Sequence, residues 1–266
     1  MSEYTFRMEM HMHTSEASPC GKASAAEGIA RCLRLGYHGC VITDHFKART
    51  EQELLGINHD LPWREKIDLF LSGYRNAKAA APNGFPVLLG VEIRFKDCHP
   101  GSENDYTVYG VTEEMLYANE GLYDIGLPAF RRFAQAHGLF VVQAHPFRFD
   151  MTHVKPKYLD GMEVYNSNPH HDENNDFAAL WADRYGLLPL SGSDYHGDGP
   201  RRNAAGQWET FHKKKAIDNP DAVRNLEQFG EANPPGGLAF CQTVSDNAAL
   251  LTALRNRDYR LIGTEI

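Results

Sequence analysis

Apolar residues recur along this chain in two alternating rhythms. Short runs rich in β-branched and aromatic residues, bounded mostly by Gly, Pro, Asn or Asp, predict strands at 4–11, 39–43, 86–93, 106–111, 139–144, 161–165 and 187–191. Longer stretches with helical spacing predict helices at 23–35, 64–81, 125–136, 174–185 and 247–256. Gly36, Pro82, Gly138 and Gly186 supply stops for the first four. The connection between the third and fourth strands reads as a loop, and so does that between the fifth and sixth. Such β–α alternation predicts an α/β fold with a mostly parallel sheet, and seven strands suggest a closed or distorted barrel. Residues 197–240 break the rhythm with Gly, Pro, Asn and charge, including Pro234-Pro235-Gly236-Gly237, and read as an irregular excursion or lid over one face.

Length and composition narrow this picture. A chain of 266 residues suits one barrel-sized domain. The net charge of −8 disfavours broad binding to nucleic acid or anionic membrane, yet leaves room for a small phosphorylated substrate met by local Arg and Lys. The basic run at His212–Lys215 reads as a solvated loop. Five scattered cysteines (Cys20, Cys32, Cys40, Cys98, Cys241) contain no C-x-x-C pair, which argues against a disulfide framework or a thiolate zinc knuckle. The start carries no apolar leader-like stretch, and no run reaches membrane-spanning length, so the cytoplasm is the expected location.

The chemistry gathers at strand ends. His11 and His13 lie two apart at the end of the first strand, and so present two imidazoles on one side. Thr43-Asp44-His45 ends the second strand, Gly90-Val91-Glu92 the third, and Ala144-His145-Pro146 the fifth. The sixth carries Glu163, and the seventh ends in Ser193-Asp194-Tyr195-His196. Sites of parallel α/β folds form at this C-terminal end. Mixed imidazole and carboxylate donors suit zinc, manganese or iron, and their number exceeds the needs of one tetrahedral ion, implying two or three divalent ions. Such a centre would lower the pKa of a bound water and clamp phosphoryl oxygens. Tyr195, between two donors, should face the core.

Together the motifs His11-Met-His13-Thr14, Thr43-Asp44-His45, Gly90-Val-Glu92, His145-Pro146 and Ser193-Asp194-Tyr-His196 resemble those of the PHP (polymerase and histidinol phosphatase) family, over nearly the whole chain. The resemblance implies a distorted (βα)7 TIM-like barrel, a di- or trinuclear metal site and phosphoester hydrolysis. It implies that His11, His13, His45, Glu92, His145, Asp194 and His196 are the metal ligands, with Glu92 bridging. Many members follow the first motif with Ser-Asp-Gly, whose Asp binds metal. Here Glu16 is the first candidate for that role and Cys20 the second. Where many members carry a further His after the Gly-x-Glu motif, this chain offers Asp105, with His99 as a rival.

Arg94, Arg148, Lys47 and Arg201 follow these motifs closely enough to line the mouth. Arg94 and Arg148 are the preferred phosphate clamps, with an ion pair to a nearby acid as the alternative. Glu163 is placed to orient a ligand imidazole from behind, Asp44 is expected to sit behind the ligands too, and His170 is a candidate proton donor to the leaving group. The expected activity is hydrolysis of a small phosphorylated substrate, with a nucleotide or oligonucleotide end still open. Two alternatives are an amidohydrolase acting on a C–N bond, which the lack of a Lys ending any assigned strand disfavours, and a noncatalytic metal-binding domain. Oligomeric state is not legible.

Overall fold

In the computed structural model, residues 3–47, 61–95, 104–149, 151–168, 171–197 and 235–264 are described. Each predicted strand forms, with its ends shifted by no more than two residues: β1 (Phe6–Glu9), β2 (Gly39–Ile42), β4 (Val87–Ile93), β5 (Tyr106–Tyr109), β6 (Phe140–Gln143), β7 (Gly161–Asn166) and β8 (Leu188–Gly192). Three more join them: β3 (His45–Phe46), β9 (Gly237–Phe240) and β10 (Tyr259–Ile262). The sheet runs in the order β10-β9-β1-β2-β4-β5-β6-β7-β8, with β3 paired to β4. A parallel bridge between Met12 and Tyr195 draws the chain beyond β1 to the chain beyond β8, so the sheet is a nearly closed barrel. Two hydrogen bonds fix that seam: His13 N–H donates to the Tyr195 carbonyl at 3.0 Å, and Tyr195 N–H donates to that of His11 at 3.3 Å.

The barrel departs from a uniform (βα)7 repeat. β5 is antiparallel to both β4 and β6, with Tyr106 opposite Ile93 and Gln143. The chain from β4 to β5 carries no helix among the described residues, and a parallel crossover normally needs one. Reversal brings the start of β5, and with it Asp105, to the end of the barrel where β4 and β6 finish. The stretch 237–240, expected to belong to an irregular excursion, is instead β9: its residues are all buried, and it pairs antiparallel with β1. Residues 198–234 of that excursion lie outside the described residues.

The helices cover the sheet. α1 (Ala25–Arg34) starts at a capping box in which Ser24 and Glu27 satisfy each other's backbone N–H groups, and it buries Ala25, Gly28, Ile29 and Cys32 at helical spacing. α2 (Trp63–Ala80), α4 (Leu127–Ala136), α5 (Asn175–Tyr185) and α6 (Asn247–Asn256) match the predicted helices, while the six-residue α3 (Glu113–Ala118) was not expected. An apolar cluster that includes Met8, Met10, Val41, Tyr109, Val142 and Leu190 draws on strands all around the sheet. The Tyr109 hydroxyl donates to the Met10 carbonyl at 3.1 Å, from β5 to the chain just beyond β1. This apolar packing forms the floor beneath the polar strand ends.

Candidate metal centre

Five strands deliver side chains to one point. His11 and His13 follow β1, His45 opens β3, Glu92 lies on β4, His145 follows β6, and Asp194 and His196 follow β8. All are buried, from 0% exposure at His11 and Glu92 to 8% and 9% at His45 and His196, so the centre opens on the His45–His196 side. Glu92 lies at the middle: its oxygens stand 3.2 Å from His11 Nε2, 3.4 Å from His13 Nε2, 2.6 Å from His45 Nδ1 and 3.0 Å from His145 Nε2. Asp194 Oδ1 lies 3.1 Å from His13 Nε2 and 3.5 Å from His11 Nε2. His145 and Asp194 both hold left-handed backbone, with φ of 29° and 47°. For residues other than glycine this costs about 1–3 kcal/mol each, a strain common where a turn must aim a functional side chain.

Hydrogen bonds behind the imidazoles fix which nitrogen faces inward. His11 Nδ1 donates to Glu163 Oε1 at 3.0 Å, which leaves the Nε2 lone pair to the centre. His196 Nδ1 donates to the Asp194 carbonyl at 2.8 Å with the same result. For His13 the partner is Ser18, whose hydroxyl donates to Asp44 Oδ1 at 2.6 Å and accepts the His45 backbone N–H at 3.0 Å. Its remaining lone pair faces His13 Nδ1 at 3.4 Å, so the proton belongs on Nδ1 and the lone pair on Nε2.

The Nε2 atoms of His11 and His13 then face each other at 3.2 Å, two acceptors with no donor between them. His45 Nδ1, Glu92 Oε2, His145 Nδ1 and Asp194 Oδ1 are likewise buried without a hydrogen-bond partner. Buried polar atoms are rarely left so, and convergent lone pairs call for a cation. Among the described residues, four overlapping groups each bring their donor atoms within 4.8 Å of one another: His13–His45–His196, His11–His145–Asp194, His11–His13–Glu92 and His45–Glu92–Asp105. These residues fit divalent metal ions.

Charge within the cluster is tightly balanced. Burial alone would push Glu92 up, but the facing His45 and His11 imidazoles hold it well below the ordinary carboxylate range. Burial would also raise Asp194, and His196, Arg148 and His11 outweigh it. His13 falls to about 4 through burial and the neighbouring His45, which keeps its lone pair available at neutral pH.

Some expected residues stand elsewhere. Glu16 does not join the cluster: its carboxylate accepts the Ala25 N–H at 3.0 Å, at the start of α1, and the Asn76 amide at 3.3 Å. The unpaired N–H groups of a helix start are a strong local attraction for a carboxylate. Asp105 joins instead. Arg94 is held by Asp105, with Nε 2.7 Å from Oδ1 and an amino group 2.5 Å from Oδ2. Arg148 binds Glu173 through Nε and one amino group, and the same amino group reaches Asp194 Oδ2 at 2.6 Å. Both arginines therefore form ion pairs with acids of the site, the alternative to open phosphate clamps. Lys47 is buried directly after β3, so a lysine does follow a strand that the sequence pattern left unassigned. Arg201, His170 and His99 lie outside the described residues.

Glu163 stands behind His11 as expected, and its second oxygen accepts the His145 backbone N–H at 2.9 Å and the Asn166 amide at 2.8 Å. Gly192 makes room for that pair, since a Cβ there would meet Glu163 Oε1 at 2.7 Å and His11 Cβ at 2.5 Å. Asp44 also sits behind the cluster, accepting from Thr14 and Ser18, against a Gly73 whose Cβ would meet Asp44 Oδ2 at 2.6 Å. Two contributors had escaped the sequence. Ser18 lay unremarked beside Glu16 and Cys20. Glu9, wholly buried, accepts the backbone N–H groups of His11 at 3.1 Å and Ser193 at 3.0 Å, together with the Ser193 hydroxyl and Arg31. It ties the two sides of the seam just below His11 and Asp194. A charged residue in an apolar strand is the signal that could have pointed to it. Tyr195 packs in the core with Met12 and Ile29, under the Arg31 guanidinium.

A family model described as the PHP domain matches residues 9–225. In fold, the chain is similar to a two-domain protein of Bacteroides vulgatus described as containing a predicted PHP-like metal-dependent phosphoesterase. The TM-score is 0.57 and the identity 15%, over 96% of this chain and 64% of that one, so the present chain spans less than two thirds of that protein. It is also similar to PsfC from Pseudomonas syringae, with a TM-score of 0.50 and 13% identity over 85% of this chain and 97% of that one. No curated protein is matched by the sequence. Among the described residues, no helix is long and apolar enough to cross a membrane.

Proposed function

Since the chain belongs to the PHP domain family, we propose that it is a metal-dependent phosphoesterase that hydrolyses a small phosphorylated substrate. The observation that carries this reading is the meeting of the buried, unsatisfied Glu92 Oε2, Asp194 Oδ1 and His45 Nδ1 with the facing Nε2 atoms of His11 and His13. His11, His13, His45, Glu92, His145, Asp194 and His196 would hold the ions, with Glu92 shared between them. When bound, divalent zinc, manganese or iron would supply a water of lowered pKa and neutralise charge on a phosphoryl group.

The chain's own residues would prepare that chemistry. Glu163 and Ser18 hold the Nδ1 side of His11 and His13, which aims Nε2 of each inward. Arg148 holds Asp194 by one oxygen and leaves the other facing the cluster. The opening beside His45 and His196 is the side from which substrate would arrive, with Lys47 near it. An overall charge of −8 favours small phosphorylated compounds, or a nucleotide or oligonucleotide end, over long polyanions.

One observation favours a second reading. Lys47 is buried at a strand end beside the cluster, the kind of position from which an amidohydrolase-type barrel recruits a lysine to its metals. A screen of metal-loaded protein separates the two, with phosphate release from a phosphoester panel read beside ammonia or amine release from cyclic and linear amides. Phosphate release supports the proposal. Amide hydrolysis without phosphate release would replace it with the second reading.

A further inference from the structure

We propose that the centre holds two divalent ions per chain, and that Arg94 and Lys47 supply the positive charge where a third ion would sit. This rests on the metal-dependent reading above and deepens it by assigning roles to two residues first expected at the mouth.

The donor groups are of two kinds. His13–His45–His196 and His11–His145–Asp194 contain atoms that no hydrogen bond claims, namely His45 Nδ1 and Asp194 Oδ1, while His145 meets Glu92 through Nε2 at 3.0 Å. Asp194 keeps Oδ1 for the cluster because Arg148 takes only Oδ2, and the charge of Arg148 is answered in turn by Glu173. The group His45–Glu92–Asp105 likewise holds the unclaimed His45 Nδ1 and Glu92 Oε2, and differs at Asp105. Arg94 engages both oxygens of Asp105, at 2.7 Å and 2.5 Å, in a pair whose side chains are 15% and 3% exposed. Lys47, itself 3% exposed, directly follows the strand β3 that His45 opens, two residues on from that donor.

A divalent ion entering that group would have to open a buried bidentate pair or stand against two like charges, and burial magnifies both costs. Arg94 and Lys47 thus serve as built-in cations at the His45–Glu92–Asp105 group.

The test is manganese uptake by the full chain. Protein is dialysed against excess Mn²⁺, freed of unbound ion and counted by elemental analysis, with calorimetric titration alongside. Two ions per parent chain are expected, and three in R94Q/K47Q, whose fold is checked by circular dichroism. Three ions in the parent would overturn the inference while leaving the metal-dependent reading intact, and a count of two in folded R94Q/K47Q would do the same. The parent count alone keeps the proposal open to refutation if the double variant does not fold. A parent chain that takes up no manganese would overturn the phosphoesterase reading itself.

Discussion

Asp194 and Asp105 are both buried aspartates at the mouth of the barrel, each paired to an arginine, yet they are prepared for different partners. Asp194 gives Arg148 one oxygen and keeps the other, in contact with His13 and unclaimed by any hydrogen bond. Asp105 gives both oxygens to Arg94. The difference follows from the backbone that carries each. Asp194 sits in a left-handed turn after β8, at φ 47°, which aims its carboxylate across the seam toward β1. Asp105 precedes an antiparallel strand and lies beside the end of β4, where Arg94 is its near neighbour in the ladder. A carboxylate with an orphaned oxygen among imidazoles is a site in waiting, whereas a carboxylate closed by a bidentate guanidinium is already neutralised.

The largest effect should come from the residue that both sides share. Glu92→Ala removes the central carboxylate, so turnover should fall to background and bound metal should drop in the same preparation. Full activity in that variant would sink the site assignment. Next, Asp194→Asn and Asp105→Asn test the contrast directly. Removing the Asp194 charge should cost at least one bound ion per chain, while Asp105→Asn should leave the metal count unchanged and lower thermal stability by leaving Arg94 buried without its acid. Equal loss of metal in both would erase the distinction.

Smaller effects should follow behind the ligands. Glu163→Gln removes the charged acceptor for His11 Nδ1 and should weaken metal affinity roughly 10–100-fold, as such supporting partners typically do. Ser18→Ala removes a weaker, neutral acceptor at His13 and should sit near the lower end, about tenfold. Both are read by competition with a chelating dye. A larger loss in Ser18→Ala than in Glu163→Gln would reverse the order assigned to the two imidazoles.

Much of this was legible in the sequence because it is local. Every long strand and helix announced itself by periodicity, and the ligand candidates stood where each strand stopped. What could not be read there depends on partners distant in the chain. β3 is only two residues long, and β9 becomes a strand because Gly237–Phe240 finds β1. The direction of β5 is set by pairing, although the loop-like sequence before it was a hint, and that reversal is what delivers Asp105. Glu16 shows the opposite failure: a carboxylate of the right type near the right motif was captured by the nearest helix start. Arg94 and Arg148 had the right charge for phosphate, but sequence spacing does not reveal that buried acids reach them first.

The most direct measurement of the central claim is phosphate release from a phosphoester panel by purified protein, before chelation, after exhaustive chelation and after return of manganese or zinc. The account predicts release that disappears with the metal and returns with it. Release at an unchanged rate in fully chelated protein would contradict it, and so would the absence of release in protein shown to be metal-loaded.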